Sequence, residues 1–289
     1  MTGEPPTPEP RREVAVICPV RGCGQPLALG ARTAACPAGH SFDRARSGYW
    51  NLMQPQDRRA RVPGDSREVV AARARSLARG LGDALREALV AGLLHRGVPR
   101  GAAALDAGCG PGVFLAALAA RLGLAGVGVD ISTAAVDAAA RAHPQGLWIV
   151  ANADRVLPFA PGTFDLVLSI TGPKHAAEFR RLLAPSGWLV VVVPAADDLA
   201  ELRARLLGAA HAADRGPRVA DRFGAHFELQ ETSGARSRGR LGAGELADLL
   251  AGSYRGARHR ERARLAEVAE LTVTVSYQIL WFRPRATMV

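Results

Sequence analysis

From residue 102 onward the chain alternates between two hydrophobic periods. Short, nearly continuous apolar runs end in small, acidic or turn-forming residues: AAALDAGCGPG, GVGVDIS, LWIVAN, FDLVLSI and GWLVVVVP. Runs of that purity read as strands buried on both faces. Between them VFLAALAARLG and AAVDAAARAH carry apolar residues at helical spacing, so the pattern predicts a parallel, doubly wound sheet covered by helices. The carboxyl-terminal part changes character. HFELQETSGARSRGRL and ELTVTVSYQILWFRP flank a helix in GELADLLAG and predict an antiparallel finish to a seven-stranded sheet. Upstream, Asp65 or Ser66 is placed to cap a helix through REVVAARARSLARG, and the helical period resumes in DALREALVAGLLHRG after a joint at Gly80 and Gly82.

These changes of pattern divide the chain into four parts. Residues 1–13 are a Pro- and Glu-rich lead expected to be disordered. Residues 14–60 form a cysteine- and arginine-rich module, expected on the residues that follow to bind zinc and recognise RNA, 61–100 a helical connector and 101–289 the α/β domain. In the second part, Cys18 and Cys23 stand in CPVRGC, and Cys36 and His40 in CPAGH. Two such pairs suit tetrahedral zinc, with Gly22, Gly24 and Gly39 allowing the turns that aim each pair at one point. Four protein ligands leave no open position, so the metal would be structural. A chance cluster of buried thiols is the plainer alternative.

Composition changes this picture in one respect. The net charge is +10 and is carried by arginine, since Lys174 is the only lysine. A GC-rich genome accounts for arginine in place of lysine but not for the excess of charge, which points to an acidic partner. Directly after the cysteine module, SFDRARSGYWNLM interleaves Phe42, Tyr49, Trp50 and Leu52 with arginines, and Arg58, Arg59, Arg61, Arg67, Arg73, Arg75 and Arg79 follow. Arginines grip phosphates while rings stack on unpaired bases, so this stripe predicts a nucleic-acid contact; packing of the aromatics onto the zinc module is the alternative. The start MTGEPPTPEPRRE lacks the order of a secretion signal and no apolar run is long enough to span a bilayer, so the expected location is the cytoplasm, away from membranes.

The candidate chemistry lies in the α/β domain. The first strand ends at Asp106, and Gly108, Gly110, Pro111 and Gly112 shape a tight turn into the next helix. The second strand ends at Asp130, where a carboxylate can accept the hydroxyls of a ribose. An acid inside the glycine turn would repel the pyrophosphate of a nicotinamide cofactor but can hold the ammonium and sulfonium of S-adenosylmethionine. Asn152 and Ala153, with Asp154, stand where the adenine edge is expected. Cys109 reads as a packing residue. The segments ITGPKH and PAADDL end the next two strands and should flank the methyl group and the substrate. In the first, His175 is a candidate general base and Lys174 a candidate stabiliser of developing oxyanion charge. No cysteine lies near this strand to support covalent attack on a pyrimidine carbon, and no Asn/Asp-Pro-Pro-aromatic sequence supports transfer to an exocyclic amine.

The zinc pattern, FDRARSGYWNL, the PGD at Pro63–Asp65, LDAGCGPG, LPF at Leu157–Phe159 and VSYQILWFRPR together resemble the 23S ribosomal RNA (guanine-N1)-methyltransferase family, including its branch conferring resistance to macrolides such as tylosin. The resemblance runs from about Cys18 to the carboxyl terminus. It implies a class I (Rossmann-like) methyltransferase sheet with an amino-terminal zinc-binding module, S-adenosylmethionine and structural Zn2+, a guanine in a 23S rRNA hairpin near the peptide tunnel, and two subunits acting together as a homodimer. It carries Gly82 and Asp198 over as cofactor positions. Ser76 and Gly82 stand where relatives often have aromatics, Asp198 where some have histidine, and Thr171 and Gly172 where others place an aromatic before the proline. Two alternatives stay open: a small-molecule methyltransferase in which the zinc module only stabilises, and a zinc RNA-binding protein with an inactive cofactor fold. Salt-dependent RNA binding separates the first, and the intact Asp106, Gly108, Gly110 and Asp130 speak against the second.

Overall fold

The computed structural model describes residues 14–55, 64–208, 212–253, 264–265 and 267–286. The expected disordered lead and Arg58, Arg59 and Arg61 lie outside the described residues. The amino-terminal segment makes a small antiparallel sheet of β1 (Ala28–Leu29), β2 (Thr33–Ala35) and β3 (Ser41–Asp43). Next come β4 (Trp50–Asn51) and the connector helices α1 (Arg67–Ala78) and α2 (Asp83–His95). Ser66 is the cap of α1, accepting from the Val69 N–H.

The α/β part runs β5 (Ala103–Ala107), α3 (Val113–Leu122), β6 (Ala125–Asp130), α4 (Thr133–Ala142), β7 (Leu147–Val150), β8 (Phe164–Ile170), α5 (Ala176–Leu182) and β9 (Leu183–Pro194). It finishes with α6 (Ala200–Leu207), α7 (Gly216–Phe223), β10 (Phe227–Gly242), α8 (Ala243–Ser253) and β11 (Glu270–Pro284). The strand order is β10-β11-β9-β8-β5-β6-β7-β4. Strands β4 to β9 pair in parallel with one another, and β11 is antiparallel to both β9 and β10. The centre is buried on both faces, as its apolar runs require: Leu105 and Val191 point to one core with Phe179 and Phe223, while Ala104 and Val190 point to the other with Leu89 and Leu118.

Two sequence expectations change. The sheet has eight strands, because Trp50 and Asn51 of the cysteine-rich segment pair in parallel with Ile149 and Val150. Two residues are too short to show a period. Trp50 and Leu52 are each only 2% exposed, so they pack into the edge of the sheet instead of offering faces to bases. The arginine stripe also reads differently. Arg75 and Arg79 both pair with Asp248 of α8, and Arg73 binds the Asp65 carboxylate and the Gly252 carbonyl. These three arginines fasten α1 to α8 and to the segment before it, using partners too distant in sequence to anticipate.

The β10–β11 ribbon is longer than the rest of the sheet. It pairs from Phe227↔Pro284 to Gly242↔Glu270, whereas β9 pairs with β11 only between Tyr277↔Pro194 and Phe282↔Leu189. Half of the ribbon therefore overhangs the carboxyl edge of β9, and α8 folds back from it onto α1. Among the described residues no helix is long and apolar enough to cross a membrane.

Candidate active site and zinc centre

The carboxyl ends of β5, β6 and β7 converge on the glycine turn. Gly108 has φ +84°, and a Cβ there would lie 2.6 Å from Pro173 Cδ; Gly112 has φ +76°, and its Cβ would lie 2.4 Å from the Trp148 ring. Only glycine satisfies both the left-handed backbone and this close approach. Pro111 sits buried between Gly110 and Gly112, both with positive φ. The turn thus touches the Thr171–His175 loop on one side and the α4 layer on the other.

Asp106 lies beneath the turn, 2% exposed, with Oδ1 lacking any hydrogen-bond partner. Burial, and then the negative charge of Asp130, push its carboxyl up to about 7. An orphaned, buried carboxylate oxygen is costly unless a cation or donor meets it, and the ammonium of S-adenosylmethionine is such a group. Asp130 Oδ2 accepts from the Gly110 N–H at 2.9 Å and Oδ1 from the Ser132 N–H at 2.8 Å. Burial raises its pKa while these two bonds lower it. A carboxylate held this way keeps lone pairs for ribose hydroxyls. Asn152 and Ala153 are buried one strand further, with Asn152 Oδ1 accepting from the Asp154 N–H. Cys109 is buried and its thiol is held well above its usual range by burial, which fits a packing role.

Beyond β8, Thr171 adopts φ +53°, an uncommon conformation for a β-branched residue. Such strain is held in place by surrounding structure, here the Thr171 N–H on the Val192 carbonyl. Lys174 Nζ donates to the Gly172 carbonyl at 2.9 Å, and burial, then Arg222 and Arg215, lower its pKa. His175 opens α5 with Nδ1 buried and unpartnered. Asp198 lies beyond β9, where Oδ1 accepts from the Ser276 N–H and burial raises its carboxyl to about 6. Gly82 precedes α2, and a Cβ there would lie 2.7 Å from Leu77 and 3.0 Å from Phe114, which begins α3 beside the glycine turn.

Sequence reasoning missed how the connector closes on this site. Gly64 has φ +86° and approaches Ser132 so closely that a Cβ would sit 2.6 Å from the Ser132 Cβ. Ser132 Oγ donates to the Asp65 carbonyl at 2.6 Å. Arg73 Nη1 lies 3.8 Å from where a Cβ on Gly110 would be. The PGD sequence was the visible signal, although nothing local ties it to a serine some seventy residues on.

The second site is the cysteine cluster. Cys18 Sγ and Cys36 Sγ lie 3.5 and 3.4 Å from His40 Nδ1, and Cys23 Sγ lies 3.9 Å from Cys36 Sγ. All four ligand atoms fall within 4.8 Å of one another. With Zn–S of about 2.3 Å and Zn–N of about 2.0 Å, the edges of a zinc tetrahedron are about 3.5–3.8 Å. The donor set and spacing therefore fit the metal.

A methyltransferase domain model matches residues 105–191, and the model for the amino-terminal zinc ribbon described as "RlmA, N-terminal" matches residues 16–61. A putative 23S rRNA (guanine-N1)-methyltransferase from Micromonospora griseorubida is 40% identical, covering 92% of this chain and 96% of its own. The 23S rRNA (guanine(748)-N1)-methyltransferase of Streptomyces fradiae is 35% identical over 89% of this chain and 94% of its own. The chain belongs to the 23S rRNA (guanine-N1)-methyltransferase family. A putative member from Bacillus subtilis, YxjB, is 34% identical over 64% of this chain and 66% of its own. As a member of this family the protein is an S-adenosylmethionine-dependent enzyme, and its zinc ribbon brings Cys18, Cys23, Cys36 and His40 together as a donor set that suits a structural zinc.

Proposed function

We propose that this protein methylates N1 of a guanine in 23S rRNA. The observation that carries the reading is that the likeness to the Micromonospora and Streptomyces enzymes spans the zinc ribbon and the methyltransferase domain together, over 92% and 89% of the chain. A likeness confined to the cofactor domain would leave the substrate open. Bound S-adenosylmethionine supplies an electrophilic methyl group. Asp106 would hold the amino group of its methionine part, Asp130 its ribose hydroxyls, and Asn152 and Ala153 the adenine edge; the backbone at Gly108, Gly110, Pro111 and Gly112 would give room for close approach. Gly82, before α2, and Asp198, beyond the end of β9, complete the proposed cofactor contacts.

Guanine N1 is weakly nucleophilic while protonated, so its proton must leave as the nitrogen attacks. His175, at the opening of α5 and with an unpartnered buried Nδ1, takes that proton. Lys174 turns from the Gly172 carbonyl to the guanine oxygen, where negative charge develops. On this reading the target lies in a hairpin near the peptide tunnel, and expression in a susceptible host lowers sensitivity to tylosin-type macrolides. The test is to incubate the protein with S-adenosylmethionine and unmodified 23S rRNA and map modification by primer extension. A methyl on the pairing edge stops the polymerase one nucleotide before a single guanine; an uninterrupted transcript overturns the assignment.

A further inference from the structure

With Arg73, Arg75 and Arg79 engaged in intramolecular ion pairs, cations without such partners are the better candidates to meet RNA. Helix α7 is two-sided at one spacing. Gly216, Val219 and Phe223 form its buried stripe, and Arg215, Arg218 and Arg222, one position earlier in each case, form an exposed one. Residues at i, i+3 and i+7 share a helix face, so the three guanidinium groups rise from one side over about 10 Å.

The position of α7 is fixed by packing. Phe223 stacks on Phe179 of α5 with ring centroids 6.2 Å apart, so the carboxyl end of α7 packs against the helix that His175 opens. At its other end, Gly216 lies so close to β11 that a Cβ would fall 2.5 Å from Gln278 Oε1, and Gln278 is paired with Val193 at the carboxyl end of β9. The arginine stripe therefore begins at the carboxyl edge of the sheet, beside the loop carrying Lys174 and His175. Mutual repulsion with Arg215 and Arg222 contributes to the lowered pKa of Lys174, after burial.

What sets these arginines apart is that none is tied down by a direct contact. None of the three forms an ion pair or side-chain hydrogen bond among the described residues. Asp214 Oδ1 accepts from the Gly216 N–H at 2.9 Å, and the Asp198 carboxylate attracts Arg215 without forming an ion pair with it. By contrast the equally exposed ladder on β10, Arg236, Arg238 and Arg240, is matched by Asp197, Glu201 and Glu270. Three aligned guanidinium groups with no ion-pair partner at the mouth of a site are a receptor for successive phosphates.

We infer that Arg215, Arg218 and Arg222 of α7 grip the RNA backbone next to the target guanine and so position that base against the Lys174–His175 loop. This inference rests on the RNA reading above. Phosphate contacts fix register without reading sequence, so the arginines act as positioning residues and not as catalytic ones.

The test compares the wild type with the double variant Arg218→Gln/Arg222→Gln and with Arg236→Gln/Arg238→Gln as a control for exposed arginine as such. Binding of unmodified 23S rRNA transcript is measured across a range of salt concentrations, together with calorimetric affinity for S-adenosylhomocysteine and the split between KM and kcat. Each lost phosphate contact lowers the slope of log affinity against log salt by about 0.7–0.9. The α7 variant is expected to lose about 1.5 from the slope and about tenfold in RNA affinity, and to show a raised KM for RNA with unchanged cofactor affinity. Arg218→Lys/Arg222→Lys restores most of the slope. A slope and affinity equal to wild type, in an α7 variant that still binds S-adenosylhomocysteine and beside a wild type that methylates the transcript, overturns the stripe alone. A wild type that neither binds nor methylates the transcript overturns the RNA reading and the stripe with it.

Discussion

Asp106 shows how a single residue trades stability for binding. In the cofactor-free protein its carboxyl is pushed up to about 7 from an ordinary 3.8, so between those values the folded state holds a proton that the unfolded state has released. Stability must then fall as pH rises through that window and level off above it. The shift corresponds to at most about 4 kcal/mol. Asp106→Asn keeps the shape and removes the charge. It is expected to raise the thermal midpoint of the cofactor-free protein at pH 8 and to flatten its fall between pH 4 and 7. The same change is expected to weaken S-adenosylmethionine roughly 10–100-fold, the worth of a charge-assisted hydrogen bond. Melting curves across pH and calorimetry check the two halves; an Asn variant no more stable than wild type at pH 8 would show that the carboxylate finds a partner without the cofactor.

His175 can be judged at the same scale. It opens α5, beyond the loop after β8, and bonds neither to the glycine turn nor to Asp106 or Asp130 among the described residues, so cofactor binding is expected not to depend on it. His175→Ala is expected to slow single-turnover methylation by about 10²–10³-fold, within the usual range for a positioned base, and to leave cofactor affinity unchanged. A rate within threefold of wild type across pH would remove it from the mechanism.

Among the elements, the connector is where sequence and structure differ most in meaning. Its two helices stand where the apolar period puts them, within a residue or two at each end. Their function was not visible, because α1 is held by Asp248 and Gly252 of α8 and by Asp65. The glycine turn and the zinc quartet were legible for the opposite reason: their geometry is set by residues a few positions apart, and both must be written locally. The parallel strands were legible as long pure runs, but β4, two residues long, was not. The stripe on α7 has clear periodicity, yet only the fold shows that its arginines are unpaired and near His175.

Gly64→Ala tests the connector directly. The φ of +86° and the 2.6 Å approach to Ser132 cannot both survive a methyl group, so Gly64 and Asp65 must lift from the start of α4. A loss of about 1–3 kcal/mol is expected. Cofactor affinity should fall with it, because Ser132 also donates its N–H to Asp130, while bound zinc stays at one per chain. Unfolding curves, calorimetry and metal analysis separate these effects, and undiminished cofactor binding would uncouple the PGD turn from the pocket.

At the scale of the whole molecule, the zinc ribbon is built into the sheet instead of hanging from it. Trp50 and Asn51 extend the sheet beside β7, the Leu52 N–H donates to the Val150 carbonyl at 3.1 Å, and Val16 bridges to Phe159. Strand β7 leads straight into Asn152 and Ala153. A segment this short has little core of its own, and the binding energy of its zinc is folding energy. Removing the metal should therefore do more than loosen an appendage. With a strong chelator, or with Cys36→Ser, Trp50 is expected to leave its site, where it is 2% exposed, shifting tryptophan emission to the red. Hydrogen exchange at Asn51 and Leu52 should rise first, and affinity for S-adenosylhomocysteine should fall several-fold as β7 becomes an open edge. Restoring one equivalent of zinc to the chelated wild type should reverse all three changes. Were emission and exchange to change while cofactor affinity held, the ribbon would be mechanically separate from the pocket, and its part in the enzyme would lie with the RNA alone.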